Sequence, residues 1–279
     1  MAEAETGGGW ATAGRAAWLA ALAFQLDAGA DAAVSETPHD RFAEAPPPRP
    51  AAASRPAPGA AAPAAPLPAA ALPADDARAA AAACADLPAL HAAIRAFEGC
   101  ALKRGARSTV IADGDPRARV MVIGEAPGRD EDREGKPFVG RSGQLLDRML
   151  AAIGLSRGAD DPAEGAYITN AVYWRPLENR KPSADEVAML APFLIRHIEL
   201  ARPELLLLTG ATPAQALLGT DLGISRLRGV WRRWRGLPVM ATFHPAYLLR
   251  QPVRKREVWR DLLALRAALD GEPLPETPE

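Results

Sequence analysis

The sequence predicts a parallel α/β fold with helices on both faces of the sheet. Three observations point there. Short apolar runs recur at Val120–Ile123, Ala166–Thr169, Leu205–Leu208 and Pro238–Ala241, each the length of a strand buried on both faces. Segments with helical apolar spacing fill the gaps: Gly143–Ile153, Ala184–Leu200, Pro213–Leu218 and Arg254–Leu269. The residues after the runs are rich in glycine, proline, asparagine and carboxylates, as in loops that leave a sheet. Open α/β sheets place their sites at the carboxyl ends of strands, so chemistry is expected in those loops.

Taken in order, the chain begins with Trp18, Leu19, Leu22 and Leu26 at helical spacing within Trp10–Leu26, a short amphipathic helix ended near Gly29. Ala45 to Ala74 is dominated by alanine and proline. Such a stretch buries too little apolar surface to order itself, and reads as a linker. Asp75 to Phe97 returns to helix, with Leu87, Leu90, Ile94 and Phe97 on one face. The expected divisions are a helical segment over 1–44, the linker over 45–74, an α/β domain over 75–270 and a tail over 271–279. Ser183 followed by Glu186 makes a capping box at the start of the Ala184–Leu200 helix. Thr212-Pro213 reads as an N-cap followed by proline at the first helical position.

Composition narrows the function. The chain has 279 residues and a net charge of -1, so nothing pulls the whole molecule toward nucleic acid. The charges are uneven, however: Ile224 to Arg260 carries ten Lys and Arg against the single acid Glu257. Such a run forms either a solvated face or a local phosphate-binding face. Two cysteines, Cys84 and Cys100, are too few for a disulfide framework. No apolar run approaches the ~20 residues of a membrane span, and no basic region followed by an apolar core opens the chain. A soluble cytoplasmic protein with no membrane partner is expected. The four histidines show no zinc-ligand pairing with the cysteines, and the glycine loop of nucleoside triphosphatases is missing.

Four strand-end loops carry the chemistry. The first, Gly124-Glu125-Ala126-Pro127-Gly128, lets the backbone turn sharply and approach a ligand. Asp130, Glu131 and Asp132 follow, and then Phe138 between Pro137 and Val139. Asn170 ends the second run; its amide offers a donor and an acceptor side by side, as the edge of a planar base requires, although a turn asparagine looks the same in sequence. Asn179-Arg180-Lys181-Pro182 leads into the next helix. His244, fixed by Pro245, opens His244-Pro245-Ala246-Tyr247-Leu248-Leu249-Arg250 after the fourth run, and is a candidate acid, base or hydrogen-bond donor.

These elements stand in order as G-E-A-P-G-x-x-E-D-x-x-G-x-P-F-V-G, I-T-N, N-R-x-P and H-P-A-Y-L-L-R. The combination resembles the uracil-DNA glycosylase superfamily, closest to its family 4, from Cys100 to about Leu269. The resemblance implies a three-layer αβα sandwich with a central four-stranded parallel sheet, and a monomeric enzyme that excises uracil from DNA. The flipped base would stack on Phe138. Asn170 would read its N3–H and O4 edge, and Ala126 would bring backbone against it. His244 would donate to O2 as negative charge grows there. A carboxylate would orient water and stabilise the cationic sugar; the candidates are Glu125, Glu131 and Asp132, with Glu125 and Glu131 preferred. Tyr247, Leu248, Leu249 and Arg250 would contact DNA, the two leucines as a wedge. The competing class is a catalytically silent DNA-binding or polymerase-associated module of the same fold.

Two departures from the family pattern matter. Family 4 usually holds a four-iron four-sulfur cluster on four cysteines. Here Cys100 alone falls at such a position, with Phe97, Trp174 and Leu190 where the others would be, so no cofactor or metal site is expected. The basic, histidine-containing insertion of a covalently trapping branch is missing between Trp174 and Pro182, which favours turnover. Arg129 stands where related chains often carry an acid. The partner of the N-terminal helix has no sequence signature.

Overall fold

The computed structural model describes residues 73–275. The helix expected over Trp10–Leu26, nearly all of the 45–74 linker and the last four residues of the tail lie outside the described residues.

Two helices come first, α1 (Pro73–Ala82) and α2 (Leu87–Ala96), where the apolar spacing suggests one. Asp86 separates them: its side chain accepts from Ala89 N at 2.8 Å, which caps α2, and Pro88 in that first turn has no N–H to continue a helix. The helix α1 starts at Pro73, two residues ahead of the expected boundary at 75. The sheet follows. β1 (Ala112–Asp113) is a two-residue edge; β2 (Val120–Gly124), β3 (Ala166–Asn170), β4 (Leu205–Thr209) and β6 (Leu237–Thr242) are the four expected runs, each slightly longer; and β5 (Trp231–Trp234) is a second edge. Their order is β1-β3-β2-β4-β6-β5. The inner four are parallel, while β1 and β5 pair antiparallel outside them. The four-stranded parallel centre therefore stands, widened to six strands by two short edges whose polar residues gave no apolar signal.

Period-two alternation builds the three layers. Val120, Val122, Ile168, Leu205 and Leu207 point to one side, against Leu146 and Leu150 of α4 (Arg141–Ala151) and Leu262 and Leu265 of the C-terminal helix α9 (Lys255–Leu269). Met121, Ile123, Tyr167, Leu206 and Leu208 point to the other, against Leu194 and Ile198 of α5 (Ala184–Ala201) and Ala214 and Leu217 of α6 (Ala211–Leu218). Ser183 caps α5 with Glu186, as its spacing suggests. The N-cap expected at Thr212 moves to Gly210, whose φ of +100° turns the chain straight from β4 into α6 and places Thr212 inside the helix. Among the described residues no helix is long and apolar enough to cross a membrane.

The chain runs from β2 to β3 on one side and returns to β4 on the other, so β2 is the point where strand order reverses. Loops diverge there and leave a crevice at the carboxyl ends. Gly124, Asn170 and Gly210 all sit at that end of the sheet.

His197 of α5 lies in the second layer, fully buried, with its Nε2 at 2.8 Å from the Tyr167 hydroxyl. Burial lowers its pKa to about 3. The unfolded chain, with an ordinary imidazole, binds a proton first, so stability is complete above pH ~6.5 and falls as pH drops toward the folded value. Urea unfolding is expected to show a lower midpoint at pH 5 than at pH 7, and His197→Phe is expected to shrink that difference. An unchanged pH difference in the variant would rule His197 out as its source.

Candidate active site

Gly124 ends β2 in register with Asn170 of β3. A Cβ at Gly124 would fall against Asn170 Oδ1 and the Phe138 ring, far inside van der Waals contact. Glycine at this place is what lets those two side chains close over the strand end. The chain then turns through Ala126 and Gly128 into α3 (Arg129–Glu134).

The acidic run is not a solvated loop. Glu131 and Asp132 are both buried. Glu131 Oε2 accepts from Gly128 N at 3.1 Å, and its Oε1 accepts from Val139 N and Gly140 N, each at 3.0 Å. Asp132 Oδ1 accepts from Arg107 N at 2.9 Å and Ser108 N at 3.0 Å. Each carboxylate thus ties the first loop to a neighbouring segment. Glu125 is partly exposed and differs in its partners: its Oε2 accepts from the Thr212 hydroxyl at 2.5 Å, and its Oε1 makes no hydrogen bond among the described residues.

Phe138 is 4% exposed and adopts φ of +54°. A left-handed backbone at a bulky residue costs about 1–3 kcal/mol and persists only where the surroundings hold it. Its ring lies over the His244 imidazole, centroids 5.5 Å apart and planes 26° from parallel. Asn170 is 1% exposed, and its Nδ2 has no hydrogen-bond partner among the described residues.

His244 caps α8 (Pro245–Arg250), with Nδ1 accepting from Ala246 N at 3.1 Å. An accepting Nδ1 carries no proton, so in the neutral ring the hydrogen sits on Nε2. Burial, with a smaller contribution from the Arg250 charge, lowers the His244 pKa to about 4. At neutral pH the residue is therefore an uncharged imidazole with a fixed tautomer and one N–H to offer.

Phe138, Asn170 and His244 line one cavity of about 160 Å³, with Ala126, Gly128 and Glu131 on its near wall. Larger cavities exist, one of about 410 Å³ walled by apolar side chains of α4 and α9 and one of about 610 Å³ between α5 and α6. Neither gathers a donor, an acceptor and an aromatic ring, so the small one is the candidate site. Ser142 and Ala246 also line it and went unread in the sequence. Their signal was position alone, one just after Phe138 and the other just after His244. Thr212 was read only as a cap, although it holds Glu125.

The expected wedge needs one correction. Leu248 is 1% exposed and packs in the layer with Met149 and Val258, so it cannot enter a duplex. The first turn of α8 points it inward, whereas Leu249 and Tyr247 are partly exposed and Arg250 is exposed. Val253, 72% exposed just beyond α8, is an outward apolar residue that sequence reading passed over.

The resemblance would place four cysteine ligands at residues 97, 100, 174 and 190. Phe97, Cys100, Trp174 and Leu190 are all buried in one apolar cluster. Phe97 packs edge-on against Phe193 at 5.2 Å, and Trp174 Nε1 donates to Thr109 Oγ1 at 3.1 Å. One thiol among three apolar side chains does not fit an iron-sulfur group, which needs four ligands.

A model of the uracil DNA glycosylase superfamily matches residues 111–263. The chain is 36% identical over 185 residues to a type-4 uracil-DNA glycosylase of Pyrobaculum aerophilum, covering 63% of this chain and 91% of the relative. It is 39% identical over 176 residues to a type-4 uracil-DNA glycosylase of Archaeoglobus fulgidus, covering 60% and 85%. A type-5 uracil-DNA glycosylase of Pyrobaculum aerophilum is 35% identical over 147 residues, covering 48% and 64%.

Proposed function

The chain belongs to the uracil-DNA glycosylase superfamily, and on that premise we propose that it hydrolyses the N-glycosidic bond of uracil in DNA, leaving an abasic site for base excision repair. The observation that carries this reading is the buried Asn170 amide, whose Nδ2 lacks a partner in the cavity that Phe138 and His244 also line. A buried donor left unpaired costs about 1–3 kcal/mol, a cost that a ligand acceptor in that cavity would remove.

Uracil leaves the stack and lies on the Phe138 ring. Asn170 Nδ2–H donates to O4 and Oδ1 accepts from N3–H; cytosine presents the reverse pattern and is refused. His244 Nε2–H donates to O2, where negative charge collects as the bond to the sugar breaks. Glu125, one residue before the cavity-lining Ala126, orients the attacking water, since one of its oxygens has no partner among the described residues. Glu131 has three of about four acceptor sites occupied by backbone amides, so its part is to hold the loop. Leu249 and Arg250, with Tyr247 beside them, contact the DNA. We read the enzyme as a cytoplasmic monomer. Release of free uracil from a uracil-containing oligonucleotide tests the proposal; binding without release would leave a silent DNA-binding module instead.

Asn170→Ala is expected to weaken uracil excision by about 1–3 kcal/mol of base discrimination, and Asn170→Asp to admit some cytosine. Excision by Asn170→Ala at the parental rate would make Asn170 a turn residue only.

The same reading makes the enzyme free of an iron-sulfur cluster, because apolar side chains stand at three of the four ligand positions. Iron and sulfide analysis of protein purified without oxygen is expected to find neither. A stoichiometric cluster with an absorption band near ~400 nm, typical of thiolate-ligated iron, would overturn this.

A further inference from the structure

Arg157 lies in the segment between α4 and β3, away from every motif described above. Its guanidinium donates from Nη1 to Pro137 O at 2.8 Å and from Nη2 to Phe138 O at 2.9 Å. Two successive carbonyls are therefore held by one planar, rigid fork. The dihedrals of Phe138 are the rotations that relate those two carbonyls, so holding both oxygens at one fork restricts φ and ψ of Phe138 together. That φ is +54°, a conformation phenylalanine does not keep unaided.

The fork is itself anchored. Arg157 Nε donates to Asp147 Oδ1 of α4 at 2.8 Å, and Nη1 also reaches Asp113 Oδ2 of β1 at 3.2 Å. From the other side, Gly143 leaves room for the bent loop: a Cβ there would collide with the Phe138 carbonyl. The loop thus has a space that admits only this course and a cation that holds it.

We propose that Arg157 is the positioning residue for the Phe138 stacking platform, keeping the ring at the angle from which it meets the flipped base. This rests on the base-excision reading above. Arg157 touches no reacting atom and acts through Phe138 alone. Lysine in its place keeps a charge near Asp113 and Asp147 but cannot donate to both carbonyls from one rigid plane. Loss of the fork lets the loop relax toward ordinary φ and carries the ring with it.

The test combines rates with a direct report on the ring. Arg157→Gln and Arg157→Lys are each expected to lower kcat/KM for uracil release on the order of 10-fold, less than the ~10²-fold that a full 1 Å misplacement can cost. In a Phe138→Leu background, the same substitutions are expected to change the rate by less than about twofold, because residues acting through one another are not additive. Equal losses in both backgrounds would overturn the proposal. So would full rescue by lysine, which would reduce Arg157 to a charge pairing with Asp113 and Asp147. Independently of activity, protein labelled with 4-fluorophenylalanine gives a Phe138 resonance, assigned by its loss in Phe138→Leu. That resonance is expected to shift or broaden in Arg157→Gln while the other fluorine signals stay in place. An unmoved Phe138 signal would overturn the clamp. Absence of uracil release by the unmodified enzyme would instead sink the base-excision reading, and the fluorine spectrum would still decide whether Arg157 holds the ring.

Discussion

Replacing His244 with alanine is expected to lower the single-turnover rate of uracil release on the order of 10²–10³-fold, the loss typical of one preorganised donor to a developing anion. Affinity for a uracil-containing duplex should change far less. A donor aimed at O2 gains strength only as charge moves onto the base, so its removal raises the barrier more than it weakens binding. The structure adds a pH signature. Because burial lowers the His244 pKa to about 4, the ring is neutral at pH 7 and stays so as pH falls through ~6.5, where an exposed histidine would protonate. Activity should therefore show no His244-dependent break near pH 6.5. It should decline near pH 4, where a proton on Nδ1 would displace the bond from Ala246 N. A break near 6.5 that disappears in His244→Gln would mean that the charged ring is the working form. The competing role, bracing the α8 end, predicts the opposite split: weaker duplex affinity with the rate at saturating enzyme nearly unchanged.

The sequence was legible where one physical signal sufficed. Four apolar runs announced the parallel strands because strands buried on both faces admit little but Val, Ile, Leu and Met. The edges β1 and β5 escaped because a strand exposed on one side carries residues such as Asp113 and Arg233, which read as loop. Asn170 and His244 stood out as polar residues at or just past strand ends, and Phe138 as an aromatic set among proline and glycines. What stayed hidden depended on direction. Leu248 and Leu249 are identical in sequence, and only the turn of α8 decides that one is core and the other is partly exposed. Glu125 and Glu131 look alike in sequence, and only the fold shows that backbone amides occupy Glu131. Arg157 carries no motif at all; its meaning comes from the strained residue it holds.

Gly124→Ala is expected to cost uracil release about 10²-fold or more, the second-largest loss after His244, although the substitution adds a single methyl. The position is the last residue of β2, fully buried and paired in register with Asn170. The new carbon cannot coexist with the present places of Asn170 Oδ1 and the Phe138 ring, and neither neighbour has a way to yield cheaply. Asn170, 1% exposed, has little room to rotate, and Phe138 sits on a backbone held in the left-handed region. One of them must move by a sizeable fraction of an ångström, and a shift of about 1 Å at a positioned group can cost ~10²-fold in rate. Either shift harms the same step, since one group reads the base edge and the other supports its face. Gly223→Ala is the matched control, because an added methyl there meets nothing within 4 Å. Both variants should melt cooperatively, and the loss at Gly124 should appear in kcat/KM for uracil release. A Gly124→Ala enzyme as active as Gly223→Ala would show that the crowded strand end is not where the base binds.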